Sequence, residues 1–171
     1  MRKISGATVA MVTAIAVYFM LFCGYDALRM LTSPTYGLDD VWRSQSVFGI
    51  GSYFKLEPTG LIKLAAFVGA LKLVVALACA VHLVGRLRGV ASGNATADVF
   101  EGGLIVVVAI SMAAAAPAAW MQNGELLREQ VLNLLLAAVA VALCLVERHY
   151  ARRALSPSPA LTRVEAFSPL G

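Results

Sequence analysis

Four long apolar stretches limit what this polypeptide of 171 residues can become. A membrane-crossing helix needs about 20 mostly apolar residues. The stretches Ile4 to Tyr25, Leu61 to Val84, Gly102 to Met121 and Val131 to Val146 all fall near that length. Composition agrees, since 60% of the residues are hydrophobic and the mean hydropathy is +0.78, against about 45–50% apolar residues in a soluble domain. None of the four shows strand alternation. Lipid offers no hydrogen bonds, so each segment must satisfy its own backbone as a helix. The expected fold class is therefore all-α: a polytopic four-transmembrane-helix bundle over residues 1–150, with an external interfacial loop. Ala151 to Gly171, rich in Ser and Pro, reads as an extended tail.

The ends of the stretches carry local signals. Arg2 and Lys3 precede the first, which closes in the bulky run from Tyr18 to Cys23. A signal-peptide cleavage site needs small residues, so this segment reads as a retained helix. Pro58 stands at a plausible first turn of the second, and Thr96 and Asp98 offer an N-cap and a first-turn carboxylate before the third. The polar hairpin from Gln122 to Glu129 is short, which makes spans three and four antiparallel neighbours.

Basic residues near span ends stay on the cytoplasmic side. One side would carry Arg2, Lys3, Arg86, Arg88, Arg148, Arg152, Arg153 and Arg163, and the other Arg29, Arg43, Lys55, Lys63 and Arg128. The larger group places both termini in the cytoplasm, with a bacterial inner membrane as the expected location. The formal charge of +4 then reflects topology. Nucleic acid is not an expected partner, because no aromatic-interleaved basic patch or phosphate-cradling glycine loop is present.

The external loop, Asp26 to Glu57, mixes Val41, Trp42, Val47, Phe48 and Tyr53 with Asp39, Arg43 and Lys55. Such a mixture suits a segment lying among headgroups, with Phe48 and Trp42 as interfacial anchors. Trp42 and Arg43 are also the residue types that anchor partner interfaces, so an extrinsic protein docking on this loop is the second reading.

Lys72 lies midway along the second stretch, where an ammonium costs about 2.5–3.5 kcal/mol on insertion scales. Asp26, Glu101, Glu125, Glu129 and Glu147 flank the stretches, so no carboxylate of this chain is expected at its depth. One internal partner is the carbonyl of Ala113, which Pro117 leaves without a donor, aided by the hydroxyls of Thr13, Tyr18 and Ser111. The other readings pair Lys72 with a carboxylate of another subunit, or set it beside a transported anion, a proton path or a quinone.

His82 and His149 both fall near the cytoplasmic ends of spans, which permits axial ligation of a b-type haem between helices. Interfacial histidines are the plainer reading, and no cofactor is expected. Cys23, Cys79 and Cys144 read as small buried hydrophobes; a functional thiol pair of Cys79 and Cys144 is the sharper alternative. Small residues four apart, as in Ala66 and Ala70, Ala76 and Ala80, Ser111 and Ala115, and Ala138 and Ala142, permit close helix contact. No catalytic grouping or metal motif stands out, so an enzyme is not expected. The expected function is an accessory or anchoring subunit of a larger inner-membrane complex, with electron transfer as the candidate process and other integral subunits as partners. The alternatives are a small oligomeric transporter or channel using Lys72, and a carrier of one b-haem. Reporter fusions at either terminus should read as cytoplasmic and an insertion in the loop 26–57 as external; termini on opposite faces would overturn the four-span arrangement.

Overall fold

In a computed structural model of the chain, residues 6–33, 35, 38, 41–88, 95–120 and 122–155 are described, of which 41–46, 95–97 and 150–155 are described in backbone only. They form five helices: α1 (Gly6–Thr32), α2 (Val41–Tyr53), α3 (Pro58–Leu87), α4 (Ala95–Trp120) and α5 (Gly124–Leu155). No strand occurs among the described residues. The helices α1, α3, α4 and α5 are long and apolar enough to cross a membrane.

Each long helix outruns the apolar stretch that announced it. The hydrocarbon core sets how many residues must be apolar, but the helix continues wherever its next turns tolerate headgroups or water. This has its largest consequence in α1, which continues past Tyr25 to Thr32 and so takes Asp26 inside the helix. At the other end of the chain, α5 runs on to Leu155, into what reads from sequence as tail. The remainder of that tail, 156–171, lies outside the described residues.

Contacts fix the directions. Val9 meets Arg86, Gly24 meets Ala76, Asp26 meets Lys72 and Gly69 meets Met30. One number rises as the other falls, so α1 and α3 are antiparallel. Phe100 against His82 and Gly103 against Ala78 show the same for α3 and α4. The start of α1 and the end of α5 consequently lie at one end of the bundle, where Arg86 bonds Glu147 at 2.9 Å and Arg148 bonds Asp98 and Glu101. Two of the basic residues expected merely to mark a membrane side, Arg86 and Arg148, thus tie helices together.

Two tight connections use the same backbone device. After α4, Gln122 adopts a left-handed conformation (φ 53°), the Gln122 N–H donates to the Ala119 carbonyl and the Asn123 N–H to that of Ala118. This is the paired C-terminal bonding in which glycine is the usual central residue. Asn123 then caps α5, its Oδ1 accepting from the Leu126 N–H at 3.2 Å. Lys55 (φ 51°) repeats the pattern after α2, immediately before Glu57 and Pro58 begin α3.

The main core joins α1, α3, α4 and α5 through Val12, Phe19, Val75, Phe100, Leu104 and Ala140 among others. All three cysteines belong to it, each buried with a free thiol. Of the small-residue pairs, Ala76 and Ser111 face inward while Ala138 and Ala142 face outward. The closest approach of α3 and α4 is at Gly103, where an added Cβ would stand 2.9 Å from the Ala78 Cβ. An alanine Cβ cannot rotate away, so the helices themselves would have to part. Gly102 faces open space. Gly103→Val should therefore lower the unfolding midpoint in detergent, by about 1–3 kcal/mol of overpacking, while Gly102→Val leaves it unchanged; equal effects would show that this crossing is not close.

Candidate functional site

The charged pair of Lys72 and Asp26 is the chemical centre of the molecule. Lys72 stands midway along α3, and Asp26 stands on α1 about 9 Å short of its end at Thr32, at 1.5 Å rise per residue. The contacts of Gly24 with Ala76 and of Gly69 with Met30 put Lys72 and Asp26 at nearly the same level of the antiparallel pair. The Lys72 Nζ donates to the Asp26 Oδ2, with the two side chains 16% and 7% exposed. This corrects the expectation that no carboxylate of the chain shares the depth of Lys72. That expectation counted Asp26 as a flanking residue, and the extension of α1 brings it inside.

The ion pair borders a cavity of about 280 Å³ to which all five helices contribute. Its walls are largely apolar, and Phe19, Phe22 and Phe67 supply three rings. Its polar groups are Lys72, Ser111, Glu129, Gln130 and Asn133. The Lys72 Nζ lies 6.0 Å from the centre of the Phe22 ring. Asn133 is buried and its Oδ1 accepts from the Tyr18 hydroxyl at 3.3 Å, which joins α5 to α1. Glu129 and Asn133 are four apart on α5, one above the other on the same face.

The cavity exists because α3 and α4 touch at Gly103 and again where His82 stacks on Phe100, while their other halves are held apart with α2 between them. Val47 and Ile50 of α2 form part of the wall. The lining residues most exposed outside are Phe67, Ala109 and Ala113, on α3 and α4. Those three residues bring the cavity lining to the outer surface of α3 and α4.

Ala113 and Pro117 take a different part from the one the sequence suggests. Pro117 is buried within α4 and Ala113 lines the cavity, but the hydrogen bond of Lys72 goes to Asp26. Phe48 is 45% exposed on α2. Trp42 and Arg43 lie in the first turn of α2, and their side chains are outside the described ones.

The histidines are not an inward-facing pair. His82 is buried with its ring stacked on Phe100, centroids 4.4 Å apart, whereas His149 is exposed on α5. Among the described residues no three His, Cys, Asp or Glu side chains cluster as metal ligands do.

The residues that sequence reasoning passed over are Asp26, Glu129, Gln130 and Asn133. A signal for the last was present: Asn133 interrupts an apolar run, and Glu129 precedes it by one helical turn. The chain matches no protein-family model, no curated protein and no solved structure.

A buried pair behaves differently when one partner or both are removed, because a lone buried charge costs about 3–5 kcal/mol. Lys72→Met should destabilise the protein by about that much, and Lys72→Met with Asp26→Leu should regain most of it, measured as unfolding midpoints in one detergent. Additive losses in the double variant would show that the two groups are not coupled.

Proposed function

We propose that the protein is a small membrane transporter, working as an oligomer in a bacterial cytoplasmic membrane with both ends of the chain inside, and that its substrate site is the cavity beside Lys72. The carrying observation is that cavity: apolar walls, a few convergent polar groups and an ion pair, inside a bundle whose four long helices are each apolar enough to cross a membrane. Binding sites are generally concave and mostly apolar, with a small number of polar groups that fix orientation. Ionisable groups inside a membrane span mark substrate or proton pathways by default.

Asp26 also changes the weight of the other readings. An accessory-subunit role drew its force from a lysine that needed a carboxylate on a neighbouring chain, and the internal pair supplies that carboxylate. One observation still favours assembly with other membrane subunits. Along α4, Ala109, Ala113 and Ala116 form a short exposed stripe of small residues, the kind of surface on which a second helix packs closely. In a transporter the same stripe serves contact between copies.

Ala113 lines the cavity yet is exposed, so a large side chain there would obstruct the site without displacing a core residue. Ala113→Phe should abolish solute uptake into proteoliposomes and leave the unfolding midpoint within about 0.5 kcal/mol of the parent, as substitutions outside the core usually do. Uptake unaffected by the obstruction would sink the cavity as the substrate site. Persistent co-purification with other subunits, without flux, would favour the accessory role.

A further inference from the structure

Resting on the transporter reading, we infer that the cavity takes a lipophilic organic cation, with Glu129 as its counter-ion. The cavity wall and the ion pair beside it hold one ammonium, Lys72, and two carboxylates, Asp26 and Glu129. Whichever carboxylate holds the lysine, one negative charge is left over. In the structure Lys72 is engaged by Asp26, and Glu129 has neither a hydrogen bond nor an ion pair among the described residues. A lysine inside a membrane span ordinarily suggests an anion site, and here it is paired with Asp26 and lies within electrostatic range of Glu129.

Two further features select the same substrate class. Phe19, Phe22 and Phe67 bring three rings to the cavity, and ring faces attract cations lying within about 6 Å of their centres. Lys72 itself lies at that range from Phe22. The lining residues exposed on the outside, Phe67 on α3 and Ala109 and Ala113 on α4, lie on helices apolar enough to cross a membrane, so entry past them would be from the lipid. A molecule that enters this way must be lipid-soluble, and an organic cation with a delocalised or shielded charge combines that property with attraction to Glu129. Gln130 and Asn133 are buried beside Glu129 on α5, and their amides orient whatever polar atoms the substrate carries.

Two ions of nearly the same shape and opposite charge, tetraphenylphosphonium and tetraphenylborate, separate the possibilities. The intact protein in nanodiscs of neutral lipid should bind the phosphonium and not the borate. Glu129→Gln should weaken phosphonium binding about tenfold or more, the worth of one charged contact, without moving the unfolding midpoint. Preferential binding of the borate would overturn the inference, and so would phosphonium binding indifferent to Glu129→Gln. Binding of neutral lipophiles alone, blocked by Ala113→Phe, would overturn the cation assignment while leaving the cavity as the site. Indifference of every ligand to Ala113→Phe would instead remove the cavity itself.

Discussion

The contact between Lys72 and Asp26 constrains the bundle more tightly than any apolar contact does. Apolar helices in lipid gain nothing hydrophobic by associating, since acyl chains are as apolar as leucine, and their packing can slide at modest cost. An ion pair cannot slide in the same way. Moving α1 by one turn along α3 would carry Asp26 about 5.4 Å away and strand an ammonium where water is scarce. The register of α1 on α3 is set by that requirement, and the small-residue contacts of Gly24 with Ala76 and Gly69 with Met30 are the packing that this register allows.

At the opposite end the same logic works with a different solvent. Arg86 with Glu147 and Arg148 with Asp98 and Glu101 join α3 to α5 and α5 to α4. These groups lie within reach of headgroups and water. Individually such pairs contribute little, about 0–1 kcal/mol for exposed ones, but they close the bundle where the termini of the helices would otherwise splay. The molecule is thus latched by charge at one end and registered by charge further along, with the apolar core of Phe19, Val75, Phe100 and Leu104 between.

Much of the architecture was legible in the residues because lipid imposes a simple rule. Runs such as Gly102 to Met121 have only one way to satisfy their backbone, and the hairpin between α4 and α5 is too short to join anything but antiparallel neighbours. The helix ends were less legible, since polar turns continue a helix as readily as they end it. That difference decided the site. Reading α1 as finished at Tyr25 made Asp26 a loop residue and left Lys72 unpaired, whereas seven more helical residues, 26 to 32, supply the partner. Glu129 escaped for a related reason: it was counted with the hairpin, although α5 begins at Gly124 and carries it inward. Ala113 was picked for its carbonyl and matters for its position on the cavity wall.

The cavity is a consequence of where α3 and α4 are allowed to meet. Gly103 lets them touch at Ala78, and the flat stack of His82 on Phe100 sustains that contact one turn further. Two straight helices in contact at one end diverge toward the other unless they run parallel. Here the divergence is occupied by α2, whose Val47 and Ile50 reach the gap without filling it. Filling it completely would need bulk where α4 has Ala109, Ala113 and Ala114. A packed interior leaves few voids larger than a water molecule, so a run of alanines facing three phenylalanines and an ion pair is an opening that the sequence maintains, at the cost of the dispersion contacts that larger side chains would have made.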